Sequence, residues 1–312
     1  MVKLVAVDVQ SAVAVLKLET LADRTFLLRG SPATLLYVDE DALYIVDPGH
    51  GRKRAKQLGR ASASLSQGRL RVVVVVTHFH SDHLGALAEG FGGNSVVASS
   101  IDAVGVTDPG VRVLLTFGYP LSPDDSMLPF TAPPAEVTST VRPGENVGPL
   151  STVHLPGHTP GQLGVVTPSG ILYAADSLFG EAVLQRYAVP YHAEACAALE
   201  TLYKLRDLAT SYEHVVPSHG PPVRGSDAER LVELNIKRIE EALGDLLDAA
   251  GTPLSLSEAA RHLASRYGSP EAPGMMALVE AATRGLLACL RRRGLVEPVV
   301  DRNTLKWRAI RS

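Results

Sequence analysis

Residues 77–83 read Thr77-His78-Phe79-His80-Ser81-Asp82-His83, which places three imidazoles and one carboxylate within six positions. Neutral imidazole nitrogens and a hard carboxylate oxygen are the donors that hold a divalent cation such as zinc. More donors of the same kind lie at wide spacing: His158 in Gly157-His158-Thr159-Pro160-Gly161, Asp176 in Ala175-Asp176-Ser177-Leu178-Phe179, and His219 in Pro217-Ser218-His219-Gly220. Taken singly, Asp176 reads as a helix cap and His219 as a loop histidine. Taken together, His78, His80, His83, His158 and His219 with Asp82 and Asp176 make seven donors. Two adjacent ions need about that number when each keeps a position open for water. Such a pair activates water against a carbonyl carbon or a phosphorus and takes up the negative charge that develops. Asp82 is the candidate catalytic residue, placed to orient the nucleophile and to pass its proton to the leaving group.

The donors follow strand-like runs. Leu70-Arg71-Val72-Val73-Val74-Val75-Val76 is β-branched without alternation, so it predicts a strand buried on both faces and ending at the cluster. Strands are also predicted at 5–9, 13–18, 34–38 and 42–46, the last two flanking Asp39-Glu40-Asp41 as a hairpin turn. Asp47-Pro48-Gly49-His50-Gly51 stops the strands, a helix is predicted from Arg52, and residues 84–87 open another. Strand signals resume at 151–155, 164–166, 171–174 and 215–216, with helical spacing over 191–208. Two rounds of strands then helices leave polar groups at strand ends, where α/β folds carry their chemistry. Gly157, Pro160 and Gly161 predict a tight turn that aims His158 inward.

Residues 102–146 differ. Pro109, Pro120, Pro123, Pro129, Pro133, Pro134 and Pro143 interrupt regular structure there, with Phe117, Tyr119 and Phe130 among them. A long proline-rich segment with aromatics predicts an active-site lid or an oligomer contact, the second implying a homodimer. A boundary is expected after residue 225, separating a catalytic domain (1–225) from a small α+β domain (226–312). In the latter, Leu231, Leu234, Ile239, Leu243 and Leu246 mark an amphipathic helix, and Ser255-Leu256-Ser257-Glu258 fits a capping box. A third helix over 276–293 stops at Gly294, and residues 295–300 and 304–310 flank a turn. Helix, helix, helix, hairpin is the layout of a winged helix-turn-helix.

At 312 residues, 46% hydrophobic, 20% charged and with net charge −3, the chain has ordinary globular composition. That balance is too near zero to imply a polyanion or a membrane surface as an obligatory partner. Only Cys196 and Cys289 occur, so neither a disulfide framework nor a cysteine-rich zinc site is expected. The start, Met1-Val2-Lys3-Leu4-Val5-Ala6-Val7-Asp8, lacks the apolar core of a signal peptide, and no apolar stretch is expected to reach a membrane span. The expectation is a cytoplasmic enzyme without membrane contact. Charge is uneven, since residues 284–312 hold 8 Lys and Arg against 2 Asp and Glu.

The succession Asp47-Pro48-Gly49, His-x-His-x-Asp-His at 78–83, Gly157-His158-Thr159-Pro160-Gly161, Asp176 and His219 resembles the metallo-β-lactamase superfamily over residues 30–222. The resemblance implies an α/β fold, the αββα sandwich, with metals in a cleft at one edge. It implies that His78, His80 and His158 hold one Zn2+, that Asp82, His83 and His219 hold a second, and that Asp176 bridges them. Asp47 would orient the cluster through hydrogen bonds. Fe2+ or Mn2+ is an alternative on the same donors. No cysteine stands near His158 or Asp176, where antibiotic-degrading members commonly carry one. The Gly-His-Thr-Pro-Gly and Asp-Ser-Leu-Phe motifs are similar instead to glyoxalase II, a thioesterase, and to lactone-hydrolysing relatives. Phe179 stands where those lactonases have a tyrosine. The implied reaction is hydrolysis of a small ester, thioester or lactone by a hydroxide shared between the metals. His50, Tyr119, Phe179 and His192 are candidates for the substrate pocket.

Other members share parts of the pattern. Pro217-Ser218-His219-Gly220-Pro221 followed by a winged helix resembles the branch that cleaves single-stranded RNA. There Arg291, Arg292 and Arg293 would meet phosphates, with Arg284, Arg302, Lys306 and Arg308, and Trp307 would stack on a base. The same arginines equally complement a helix dipole, and Trp307 equally packs a hairpin. A persulfide dioxygenase is a third reading, with one iron on Asp176 and histidines among His78, His80 and His158. A metal-dependent regulator needs no open hydrolytic site, so the full donor set favours an enzyme.

Overall fold

The computed structural model describes residues 18–66, 68–91, 95–119, 128, 131–187, 189–268 and 271–310. The strands predicted at 5–9 and 13–18 fall outside these residues apart from Leu18, as do Pro120, Pro123, Pro129 and Phe130. Strands β1 (Glu19–Ala22), β2 (Thr25–Leu28), β3 (Thr34–Val38), β4 (Ala42–Val46), β5 (Arg71–Val76), β6 (Ser95–Ser99) and β7 (Ser139–Val141) form one sheet in that order. β1 to β4 pair antiparallel and β4 to β7 pair parallel. Helix α1 (Gly51–Ser66) makes the first parallel crossover. Short helices α2 (Ser81–Leu84), α3 (Ala103–Thr107) and α4 (Pro109–Phe117) follow β5 and β6.

The second sheet comprises β8 (Asn146–Val147), β9 (Leu150–His154), β10 (Leu163–Val166), β11 (Ile171–Phe179) and β12 (His214–His219), in the order β12-β11-β10-β9-β8. Its flanking helices are α5 (Glu181–Arg186), α6 (Ala195–Leu208) and α7 (Gly225–Ala249). The valine run of β5 explains the stacking. Val74 and Val76 pack with Leu58 and Leu65 of α1, while Val73 and Val75 pack with Val165, Tyr173 and Val216 of the second sheet. Both faces are dry, so both must be apolar. Beyond the second sheet, Leu172, Ala174 and Leu178 pack under α6 and α7. The layers are helix, sheet, sheet, helix: the αββα sandwich.

Several elements depart from expectation for local reasons. In 102–146, Pro109 begins α4 rather than breaking a helix, because the first turn needs no N–H there. Asp108 caps it, accepting from Gly110 and Val111. β11 continues past 174 to Phe179, through an irregularity at Ala175, whose φ is 50°. After 225 come α7, α8 (Leu256–Tyr267) with its Ser255/Glu258 capping box, α9 (Pro273–Arg292), and the hairpin of β13 (Val296–Asp301) and β14 (Thr304–Ala309). Buried side chains of α7, α8, α9 and β13 share one cluster with β11 and α6, so the apolar core is continuous across residue 225.

Two expectations are corrected here. Cys196 and Cys289 pair in a disulfide, S–S 1.95 Å, that ties α6 to α9 across 93 residues. α9 is long and apolar enough, by length and composition, to cross a membrane; 61% of that stretch is buried inside the protein.

Candidate active site

β4 ends in Asp47, held at φ 52°. A non-glycine residue there costs of order 1–3 kcal/mol, which its hydrogen bonds offset. The carboxylate accepts from the Thr77 N–H at 2.8 Å and the Thr77 hydroxyl at 2.7 Å, and lies 2.7 Å from His83 Nδ1. The ends of β4 and β5 and the helix α2 are thereby locked together. An ionised carboxylate only accepts, so Nδ1 of His83 carries a proton, and once the ring is neutral Nε2 presents a lone pair. The Tyr191 carbonyl, 2.7 Å from His158 Nδ1, imposes the same tautomer on His158.

These Nε2 atoms point toward carboxylate oxygens and neighbouring imidazoles. His83 Nε2 lies 3.3 Å from Asp176 Oδ1 and 3.7 Å from Asp82 Oδ2. His219 Nε2, with Ser31 Oγ 2.7 Å from its Nδ1, lies 3.3 Å from Asp82 Oδ2 and 3.4 Å from Asp176 Oδ2. His158 Nε2 is 3.4 Å from Asp176 Oδ2 and 2.7 Å from His80 Nδ1. His78 Nε2 is buried with no hydrogen-bond partner. Buried acceptors facing acceptors repel unless positive charge lies between them. Two groups, His78/His80/His158 and Asp82/His83/His219, each bring three ligand atoms within 4.8 Å of one another, and Asp176 borders both. This mixed nitrogen and oxygen set fits two divalent cations. Asp47, His78 and His83 form a third group, but the Asp47 oxygens are already engaged by Thr77 and His83.

Charge in the site follows the geometry. Burial holds His78 and His80 well below the usual imidazole range, and His158 at about 4, which keeps them in the neutral, ligating form. Burial also opposes charge on His83 and His219, but neighbouring carboxylates, above all Asp176, outweigh it. His83 is raised well above its ordinary value and His219 to about 9. Burial likewise disfavours the carboxylates of Asp82 and Asp176, yet His83 and His219 hold both below the usual range. Protons on His83 and His219 supply the positive charge that the carboxylates demand, and a cation supplies it in their place.

Supports that sequence reasoning missed come from less conspicuous residues. Asp102 accepts from Gly161 N–H at 2.7 Å and from the Thr159 hydroxyl, fixing the turn that carries His158. Burial pushes its carboxyl up to about 6. Its position just after the apolar run of β6 was an available signal. Gly157 has φ 131°, and a Cβ there would lie 2.4 Å from the Ala198 backbone, so the turn packs directly on α6. The Ser218 hydroxyl donates to Asp176. Asn235 of α7 clamps the end of β11, accepting from Phe179 N–H at 3.0 Å and donating to Phe179 O at 2.9 Å. Tyr191 and Asn235 work through backbone groups and leave no motif.

Above the donors opens a cavity of about 240 Å³. His80, Asp82, His158, Asp176 and His219 line its floor; Val113, Thr116 and Phe117 of α4, Val189 and Tyr191, and Met275, Leu278 and Val279 of α9 line its walls. Arg112 also borders it, but its guanidinium donates to the carbonyls of Gly105, Val106 and Ala132 and to Ser81. Of the four pocket candidates, Phe179 lines this cavity. His50 instead pairs with the Thr131 carbonyl, and Tyr119 sits on the outer surface beyond Phe117. His192 is buried behind His158 and Phe179. Arg292 pairs with Glu194 and Glu200, and Arg293 with Glu240, whereas Arg291 is exposed at the end of α9.

Comparison with known proteins agrees with this architecture. The family profile described as metallo-beta-lactamase superfamily matches residues 28–219. A metallo-beta-lactamase family protein from Thermus thermophilus superposes with TM-score 0.69 at 21% identity, covering 93% of this chain and 100% of that one. A beta-lactamase domain protein from Burkholderia ambifaria gives TM-score 0.68 at 18% identity, over 94% and 95%. A metallo-beta-lactamase from Pontibacter korlensis gives 0.52 at 16% identity, over 72% and 98%. At these identities the likeness speaks for the fold. Among curated proteins no sequence matches.

Proposed function

Because the chain belongs to the metallo-β-lactamase superfamily, a metal-dependent hydrolase by fold and donors, we propose that it holds two zinc ions and hydrolyses a small ester, thioester or lactone. One observation carries this reading: two groups of ligand atoms, bordered by a shared Asp176, meet an apolar cavity through His80, Asp82, His158, Asp176 and His219. His78, His80 and His158 hold one cation, Asp82, His83 and His219 the other, and Asp176 serves both. When bound, the cations make water acidic near neutral pH and polarise a substrate carbonyl. Asp82 faces the cavity and accepts the proton of the attacking water, then returns it to the leaving oxygen or sulfur. Asp47 and the Tyr191 carbonyl keep His83 and His158 in the tautomers that leave Nε2 free.

The donor group built on Asp82, His83 and His219 favours two cations over the single iron of a dioxygenase. The ion pairs of Arg292 and Arg293 and the apolar cavity walls favour a small substrate over single-stranded RNA. Metal analysis of the purified protein, with hydrolysis assays on an ester, thioester and lactone panel beside a labelled single-stranded RNA, tests the proposal. Two zinc ions per chain and turnover within the panel are expected. One iron per chain, or cleavage of RNA alone, overturns it.

A further inference from the structure

We infer that the cavity selects its substrate by an apolar acyl chain, with helix α9 of the C-terminal region as the selecting wall; this rests on the hydrolase reading above. The donors line part of the cavity, and its apolar lining includes Val113, Phe117, Val189, Met275, Leu278 and Val279. Arg112 is the one Lys or Arg among the described lining residues, and four backbone and side-chain oxygens already engage it. A carboxylate or phosphate on the distal part of a substrate would therefore be desolvated without a counter-charge. An alkyl chain meets no such penalty.

The wall is preformed. Val113 and Phe117 of α4 pack with Ala277 and Leu278 of α9. Arg284 donates to the Phe117 carbonyl at 2.9 Å, and the Tyr191 hydroxyl donates to the Thr116 carbonyl at 3.2 Å. Gly285 lets α9 lie against the backbone that follows Tyr191, where a Cβ would come within 2.5 Å of the His192 carbonyl. The Cys196–Cys289 bond fastens the same helix to α6. These contacts tie the apolar wall together, and a preformed apolar wall rewards each methylene that covers it.

In the reaction, water adds to the carbonyl carbon and the bond to the alcohol or thiol breaks. Asp82 passes one proton of the water to the leaving group, the other is released to solvent, and the chain leaves as a carboxylate.

The test uses p-nitrophenyl esters from acetate to octanoate with the zinc-loaded full chain, the variants Leu278→Trp and Met275→Trp, and calorimetric binding of 1-hexanol. Wild-type kcat/KM is expected to rise about fourfold per added methylene until the cavity is filled. In either variant the hexanoate-to-acetate ratio is expected to fall by at least tenfold, and 1-hexanol binding to weaken in step. Should Leu278→Trp fail to fold, Met275→Trp carries the same reading. Equal kcat/KM for acetate and hexanoate in the wild type, or a ratio unmoved in the folded variants, overturns the inference and leaves the hydrolase reading standing. Binding of 1-hexanol that the variants abolish, without turnover of any ester, upholds the acyl cavity and removes the hydrolase reading. No binding of 1-hexanol to the wild type overturns the cavity assignment.

Discussion

Replacing Asp47 by asparagine isolates what its charge and acceptor pattern do for the site. Asparagine keeps the volume and is among the residues that best tolerate the φ of 52°. With Oδ1 kept on the Thr77 N–H, the new amide NH2 faces His83 Nδ1, where Oδ2 sits at 2.7 Å in the wild type. Two donors then oppose each other. Relief comes when His83 changes tautomer, which puts the proton on Nε2, pointing at Asp176 Oδ1 3.3 Å away. A protonated nitrogen cannot bind a cation. Turning the amide over merely moves the conflict to the Thr77 N–H, an orphaned buried donor worth about 1–3 kcal/mol.

Asp47→Asn should therefore weaken zinc binding at the Asp82/His83/His219 group by about 10–100-fold, the usual effect of losing a residue that orients a ligand. Binding at His78/His80/His158 should change much less, and the melting temperature only slightly. Asp47→Ala should instead lower both metal binding and stability, because three donors lose their acceptor and alanine tolerates the backbone conformation poorly. Calorimetric zinc titration against a competing chelator, with parallel thermal melts, reads both quantities. Two wild-type zinc affinities in Asp47→Asn would refute the tautomer argument.

His80→Ala and Asp176→Ala should each abolish turnover of any substrate and lower zinc stoichiometry below wild type, and full activity in either would refute the donor assignment. In chelator-treated protein, His83 and His219 keep protons above the unfolded value of about 6.5, so their stabilisation is present below that pH. It is lost as pH rises, through about 9 for His219. His78, His80 and His158, lowered by burial, contribute above about pH 6.5 and lose that contribution as pH falls. The melting temperature without metal should thus decline from pH 7 to 9, while the zinc-loaded protein should escape that decline; a metal-free rise over this range contradicts the charge argument. Asn235→Ala should lower stability by about 1–3 kcal/mol per orphaned Phe179 backbone group, seen as a fall in melting temperature. An unchanged melt would show that the clamp on β11 is dispensable.

What the sequence made legible depended on how each residue acts. The valine run could be read because burial on both faces demands apolar residues at every position, which leaves a contiguous signal. The histidine cluster could be read because cation ligation demands particular atoms within a few residues. Asp102 and Arg112 escaped for the opposite reason: most of their partners are backbone groups, of Gly161, Gly105, Val106 and Ala132, which carry no residue identity. The proline count over 102–146 misled, because a proline reports different structure at a helix start than inside one, as Pro109 shows beside the Asp108 cap. Two isolated cysteines gave no pairing signal, because pairing needs α6 and α9 side by side, and only tertiary packing brings them there.

The same physics explains why the residues beyond 225 cannot be treated as an appendage. α7 clamps β11 through Asn235 within three residues of Asp176, and α9 lines the cavity that the donors also line. The donors on the strand ends can serve many hydrolytic reactions unchanged, since they address only water and the scissile group. Discrimination among substrates has to come from surfaces that touch the rest of the molecule. In this chain those surfaces belong to α4, the loop around Tyr191 and α9, each fixed by contacts to the others. A substitution in α9 should therefore alter which substrate is taken while leaving the donor arrangement as it is, and one at Asp176 should do the reverse.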